Sequence, residues 1–317
     1  MISLIMPVYN GEETVGRSIE SVIAQTYTDW ELIVVDNASS DGTRKIIKAY
    51  ESKDKRVRGV ECRDRGVVNA RNVGLSVIKG HYVTFLDSDD MLKSNALLCV
   101  SRIIENGKYD IISYGYDIVK KNGDKIECLP RIQGECSNNE FFEELFSIGT
   151  LGFLWNKVYR VEIVHGISAP VDFELCEDLY INCEILLTDR KVFVLRKSLY
   201  SYFENDSSVT RTLSKKITND YEWKYYQAYE RIEALCKGDN LKKKRVLKAK
   251  LYVIKLGIEE LEKNSGYSMA KKKLIRHMIN NVINMIISDT TIRFKVGYMK
   301  VLLRNLFKEK FKCQNIL

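Results

Sequence analysis

Between positions 3 and 86, apolar runs rich in β-branched residues recur as SLIMPV, ELIVVD, VRGVEC and HYVTFL. Each is short and nearly continuous, the pattern of a strand buried on both faces. Between them the period changes. Val15, Ile19, Val22 and Ile23 recur at helical spacing within GEETVGRSIESVIAQ. TRKIIKAYES follows NASSDGT, a turn rich in helix-capping residues, and GVVNARNVGLSVIKG predicts a third helix closing at Gly80 as its C-cap. Alternation of this kind predicts a mostly parallel, Rossmann-like sheet with helices on both faces. Ligands in such sheets bind outside the carboxyl ends of the strands. Tyr9-Asn10, Asp36-Asn37 and Asp87–Asp90 are therefore expected on one rim.

The pattern then shifts. YDIISYGYDIVKKNGDKIECL predicts two strands joined around Asn122-Gly123. FFEELFSIG and CEDLYINCEILLTD have helical period, and KVFVLRKSLYSYF reads as a strand. FLWNKVYRVEIV, rich in aromatics, has no clear class. From about residue 214 only helical pattern and lysine remain. The expected organisation is an α/β domain over 1–211, divided at 92/93, and a basic helical region over 212–317.

Charge sharpens that division. Residues 212–317 hold 24 Lys and Arg against 10 Asp and Glu, net +14, whereas residues 1–211 hold 26 against 32, net −6. A basic tail on an acidic body expects an anionic partner. On a helical wheel Val296, Met299, Leu302, Leu303, Leu306 and Phe307 share one arc, with Lys300, Arg304, Lys308 and Lys312 opposite. This arrangement suits an anionic membrane surface, and equally a helix packed on its own domain. No motif for nucleic acid accompanies the lysine runs 242–245 and 271–273, so none is expected as a partner. The start, MISLIMPVYN, lacks the features of a signal peptide, and no apolar run approaches the roughly 18–20 residues of a membrane span. The eight cysteines show no metal-binding spacing and are read as reduced thiols, consistent with a cytoplasmic location.

The candidate chemistry lies in FLDSDD, where a buried strand runs straight into Asp87, Asp89 and Asp90. Crowded carboxylates repel unless a cation sits among them, and Mg²⁺ or Mn²⁺, which share coordination with phosphates, is the natural one. In an extended chain Asp87 and Asp89 point to one side. Tyr9 offers an aromatic ring at the end of the first strand, and Asp36 and Asn37 offer groups suited to a base or ribose. Arg71 is placed early enough on its helix to meet a diphosphate. Each also has a plain structural reading: packing for Tyr9, helix capping for Asp36 and Asn37, a solvated turn for the aspartates. Trp155 suits either a sugar face or the core.

MPVYNGEETVGRSIESVIAQTYTDWELIVVDNASSDGT and ARNVGLSVIKGHYVTFLDSDD resemble the nucleotide-binding half of family 2 glycosyltransferases with the GT-A fold, of the bacterial cell-surface polysaccharide type. The resemblance is dense over 2–92 and continues more thinly through WNKVYR (155–160), CEDLY (176–180) and SVTR (208–211). It implies that 1–92 binds nucleotide and 93–211 meets the acceptor. Pro7 and Tyr9 would line a uracil pocket. Asp36 would contact base or ribose, beside Asn37 where the family often has a second acid. Asp87 would reach ribose or sugar, and Asp89, assisted by Asp87 and Asp90, would hold the metal. Asp178, with Glu177 beside it, would be the catalytic base; the bland alternative is a pair of acids favoured at a helix start.

The resulting expectation is a metal-dependent, inverting transferase moving a hexose from a UDP-sugar to a saccharide acceptor, free or lipid-linked, at the inner face of the cell membrane. Two alternatives stand beside it. A nucleotidyltransferase would want a glycine- and lysine-rich phosphate loop after the first strand, which NGEETVG is not. A non-catalytic sugar-nucleotide-binding or scaffold subunit would leave Glu177-Asp178 without a chemical task.

Overall fold

The computed structural model describes residues 1–147, 152–166, 169–170, 173, 175–205, 221–263, 269–287 and 291–314. They form two compact units, one of Met1–Phe173 with Glu177–Asp206, the other of Glu174–Cys176 with Ser207–Leu317. The SVTR stretch at 208–211 lies outside the described residues.

The first unit begins β1 (Ile2–Val8), α1 (Val15–Ile23), β2 (Trp30–Asp36), α2 (Thr43–Lys53), β3 (Val57–Glu61), α3 (Val67–Leu75) and β4 (Tyr82–Phe85). It continues β5 (Met91–Leu92), α4 (Ala96–Asn106), β6 (Ile111–Val119), β7 (Lys125–Cys128), β8 (Gly134–Cys136) and α5 (Asn138–Glu144). It ends β9 (Lys157–Arg160), α6 (Val161–Val164), α7 (Glu177–Ile185) and β10 (Val192–Phe203). The strands form one sheet in the order β3-β2-β1-β4-β9-β6-β10-β5, with β7 added to β6 and β8 to β10. Pairings among β3, β2, β1 and β4 are parallel.

The alternation of side chains explains the layering. Ile2, Leu4, Met6 and Val8 of β1 join the core formed with Val15, Ile19 and Val22 of α1, Ile47 of α2 and Leu97 and Val100 of α4. Ile5 points to the other face, where Gly74 of α3 lies so close that a Cβ there would meet Ile5 Cγ2 at 2.5 Å. Both faces of β1 are thus dry, which is why its sequence is a continuous apolar run rather than an alternating one.

One sequence expectation changes and two open readings are resolved. The third helix ends at Leu75, and Gly80 is instead pressed on the β1 backbone, where a Cβ would meet Met1 O and Ser3 N at 2.9 Å each. The unclassed segment 153–164 splits into β9 and α6, and β9 runs antiparallel to both β4 and β6. Trp155 is core: it is 3% exposed, stacked on Tyr200 at 4.3 Å and on Phe153 at 4.6 Å between ring centroids. The hairpin turn is as expected, with Gly123 at φ 86° and Val119 paired to Lys125.

The second unit has, among its described residues, helices α8 (Tyr221–Leu235), α9 (Asn240–Lys263), α10 (Met269–Asn280), α11 (Val282–Ile287) and α12 (Ile292–Gln314). They enclose Tyr226, Leu251, Ile254, Ile258, Leu274, Met278 and Tyr298. The buried face of α12 is rotated from the arc expected: Phe294, Tyr298, Val301, Leu302 and Asn305 are interior, while Val296 and Leu303 are 47% and 46% exposed. The large rings of Phe294 and Tyr298 take the interior because they remove the most apolar area from water. Among the described residues no helix is long and apolar enough to cross a membrane. None of the seven cysteines whose side chains are described forms a disulfide.

The close approach of α3 to β1 makes a clear prediction. Ile5 is fully buried, so a methyl at position 74 has nowhere to go. Gly74→Ala should destabilise the first unit by about 1–3 kcal/mol, the usual cost of overpacking, and urea titration followed by circular dichroism reads it.

Candidate active site

The ends of β2, β1 and β4 lie side by side in the sheet, so three sequence motifs meet on one rim. Strand order reverses between β1 and β4, the switch point at which open α/β sheets bind ligands. Asn10 leaves β1 at φ 48°, and its side-chain oxygen accepts the Ser40 N–H at 2.8 Å while its own N–H donates to Ser39 Oγ at 3.0 Å. The loop after β1 is thereby tied to the loop after β2. Tyr9 is left 48% exposed, with the Arg65 guanidinium 5.0 Å from its ring centre. Pro7, half-buried, sits one residue short of the strand end, paired with Val35.

Asp36 and Asn37 are both buried, and neither caps α2. Asp36 accepts the Ser39 N–H at 3.0 Å, whereas the carboxylate over the start of α2 is Asp41, which accepts from Thr43 N. Asn37 donates its backbone N–H to Val8 O, yet its side-chain oxygen is buried without a hydrogen bond. A buried acceptor left unpaired costs free energy, so it marks a place where a donor belongs.

The DSDD turn is pinned from below. Ser18 of α1 donates to Ser88 O at 2.8 Å, and Arg17 donates to Asp89 O. Asp87 donates its N–H to the Tyr200 hydroxyl, which in turn donates to Asp90 Oδ2 at 2.8 Å. The other Asp90 oxygen accepts Phe203 N–H at 2.8 Å, and the side chain is fully buried. Asp90, expected to assist in holding a metal, is thus turned into the sheet and ties β10 to the turn. Burial raises it well above the usual carboxylate range, with Asp87 and Asp89 adding to the effect. The Asp89 carboxylate remains half-buried, with no hydrogen bond or ion pair to any described residue.

Arg71 of α3 reaches across to α7. Its side chain is 7% exposed and donates from Nη1 to Asp178 Oδ1 at 2.7 Å and to Glu177 Oε1 at 3.4 Å. Arg71, expected to meet a diphosphate, is paired here with these two acids. Asp178 is 13% exposed, and its Oδ2 accepts the Leu154 N–H at 3.1 Å. Both acids lie in the first turn of α7, where the helix dipole also favours them. Behind Arg71 an apolar shell including Val68, Leu75, Phe85 and Leu154 encloses a cavity of about 20 Å³. Such surroundings strengthen every charge interaction. Burial raises Glu177, the charge of Asp178 adds to that, and Arg71 opposes both. Burial likewise raises Asp87; Arg71 pulls it back, while Asp89, Asp178 and Glu177 push it further up. These mutual effects show that Arg71, Asp87, Asp89, Glu177 and Asp178 form one electrostatic cluster.

Among the described residues no group of three or more His, Cys, Asp or Glu is placed to hold a metal ion by itself. A hard divalent ion can take one or two carboxylates when substrate phosphates complete its coordination, and Asp89 and Asp87, two residues apart, are the residues that would hold one. Several supporting groups escaped the sequence reading, namely Tyr200, Arg17, Ser18 and the Leu154 N–H. No local signal marks them, because each acts across 70 or more positions or, for Leu154, through its backbone.

With no ligand bound, a native carboxyl group raised toward about 7 holds a proton that the unfolded chain releases earlier, so its ionisation lowers stability as pH rises through that window. Asp87→Asn should therefore raise the melting temperature of the ligand-free protein at about pH 8, by roughly 2–4 °C for each ~1 kcal/mol of relief in a chain of this size. The margin should vanish as pH falls to the ordinary carboxylate range, read by calorimetry at several pH values.

The sequence profile of Glycosyl transferase family 2 matches residues 3–164. Glycosyltransferase GlyA of Streptococcus pneumoniae serotype 4 is 30% identical over 226 residues, 68% of this chain but only 32% of that protein's length. The Escherichia coli enzyme named UDP-Glc:alpha-D-GlcNAc-diphosphoundecaprenol beta-1,3-glucosyltransferase WfgD is 40% identical over 121 residues, 36% of this chain and 47% of its own. Among solved structures, S. aureus TarS 1-349 in complex with UDP-GlcNAc superposes with a TM-score of 0.63 at 18% identity, covering 95% of this chain and 79% of that one. The fold is thus GT-A with a helical C-terminal region, and the chain belongs to glycosyltransferase family 2.

Proposed function

We propose that the protein is a metal-dependent, inverting hexosyltransferase, moving a sugar from a UDP-sugar to a lipid-linked saccharide acceptor in cell-surface glycan synthesis. The observation that carries this reading is the meeting of two halves on one buried guanidinium. Arg71 holds Asp178 at 2.7 Å, and its charge also bears on Asp87 at the end of β4. A base beside a nucleotide-binding rim is the arrangement that glycosyl transfer needs.

Asp178 accepts the proton of an acceptor hydroxyl as its oxygen bonds to the anomeric carbon. The bond from that carbon to the diphosphate oxygen breaks, and its electron pair leaves with UDP. Attack from the face opposite the leaving group inverts the centre. Arg71 binds one Asp178 oxygen and the Leu154 N–H the other, and together they aim the carboxylate. A divalent ion on Asp89 and Asp87 would offset the charge gathering on the departing diphosphate. At the base end, Tyr9 offers an open ring for stacking, and the unpartnered Asn37 oxygen suits the imide N–H of uracil. The UDP-glucose donor and lipid diphosphate acceptor in the name of WfgD, and the UDP-GlcNAc bound to TarS, support the same donor class. The net +14 of residues 212–317 and the exposed Ile286, Val296 and Leu303 suit an anionic lipid surface.

Calorimetry with UDP and GDP, each with and without Mn²⁺, tests the nucleotide site. UDP should bind in a Mn²⁺-dependent manner, and Asp89→Ala should weaken it at least tenfold, a loss of about 1.4 kcal/mol. Preference for GDP would overturn the UDP assignment. Asp178→Asn should leave UDP affinity intact and lower kcat by about 10²–10⁴, with product configuration read by NMR. UDP binding without turnover of any donor would instead make the chain a binding subunit. Sedimentation with anionic vesicles, lost on raising salt, checks the lipid partner.

A further inference from the structure

Asn182 lies one helical turn after Asp178 on α7 and is fully buried. Its amide is used at both ends. Nδ2 donates to Gly152 O at 2.8 Å and Asp178 O at 2.9 Å, with a longer approach to Phe153 O at 3.4 Å. Oδ1 accepts the Tyr159 hydroxyl at 2.7 Å. Tyr159 belongs to β9, where it pairs with Val83 of β4, the strand that carries Asp87 at its end. The segment held by Asn182 is the one that matters chemically. Two residues after Gly152, the Leu154 N–H meets Asp178 Oδ2. One residue later, Trp155 stacks on Tyr200, whose hydroxyl serves both Asp87 and Asp90. Gly152 can lie this close only because it has no side chain, since a Cβ would meet Leu179 Cβ at 2.5 Å.

We propose that Asn182 is a positioning residue of the transfer reaction, clamping the 152–154 backbone so that the Leu154 N–H holds the Asp178 carboxylate opposite Arg71. The inference rests on the reading of Asp178 as the base. Asp178 has two fixed oxygens: Arg71 orients one and the Leu154 N–H the other. The Asn182 amide, on α7, fixes the carbonyls of this segment; without it the Leu154 N–H loses that anchor and Oδ2 is less firmly held. Misplacement of a catalytic group by about 1 Å lowers rate by about 10²-fold. The nucleotide rim is built on β1, β2 and β4, whose contacts do not include this amide, so donor binding is unaffected.

The test uses the full chain with Asn182→Ala, Tyr159→Phe, Asp178→Asn and the double variant Asn182→Ala/Asp178→Asn. Asn182→Ala should lower kcat by about 10–100-fold, with the affinity for UDP and Mn²⁺ unchanged. The acidic limb of the kcat profile should also move to higher pH, because a hydrogen bond to the charged carboxylate is lost. The other charges acting on Asp178, those of Arg71, Glu177, Asp87 and Lys157, stay in place. In the Asp178→Asn background the Asn182 change should have no further effect on kcat, since its action runs through that carboxylate. Tyr159→Phe removes one hydroxyl from the same clamp and should give a smaller shift in the same direction, so it decides the matter if Asn182→Ala does not fold. An unshifted pH limb, or an equal loss of kcat with and without Asp178, would overturn the proposal. The Leu154 amide resonance separates the two readings: it should respond to acid titration in the wild type and lose that response in Asn182→Ala, whatever the turnover. If Asp178→Asn keeps full activity while the resonance behaves so, the base assignment fails and the clamp stands.

Discussion

A carboxylate cluster in dry surroundings needs a cation inside it, and Arg71 is that cation. Asp87, Asp89, Glu177 and Asp178 come from two distant stretches of chain, and their repulsion in an apolar shell would be severe without it. A buried arginine in turn requires acids within hydrogen-bond reach, since an unpaired guanidinium would be costlier still. The ion pair therefore holds α7 against α3 and brings Glu177 and Asp178 to the sheet rim. It also resolves, in part, how the aspartates of FLDSDD tolerate one another: Arg71 offsets the repulsion, while burial and the neighbouring acids still leave Asp87 raised.

The sheet supplies the frame for this arrangement. Parallel strands β1, β2 and β4 deliver three polar motifs to adjacent places because their registers are fixed by apolar residues on both faces. Contacts of long sequence range then set each motif's shape. Asn10 ties the first loop to the second, α1 supports the DSDD turn through Ser18 and Arg17, and Asp90 joins β10 to it. Of the three aspartates in the turn, Asp90 is spent on holding β10, Asp89 is left half-buried, and Asp87 feels the charge of Arg71.

Trp155 shows how closely the two sides are coupled. The stack of Phe153, Trp155 and Tyr200 joins the segment that meets Asp178 to the hydroxyl that serves Asp87 and Asp90. The spacing between Asp178 and the rim is thus set by packed rings.

The chain's local pattern determined the alternation of strands and helices over residues 2–86, the hairpin at Asn122-Gly123 and the strand-end motifs, because period and turn chemistry are short-range properties. The family resemblance added the pairing of those motifs with Glu177-Asp178. Other features were not legible. The end of α3 at Leu75, the antiparallel insertion of β9 and the inward turn of Asp90 depend on partners far away in sequence. The same is true of the core position of Trp155, the rotated face of α12 and the use of Arg71 as the cation of the cluster. In each case apolar area or a buried charge had to be satisfied by a specific neighbour, and only the tertiary fold decides which neighbour is there.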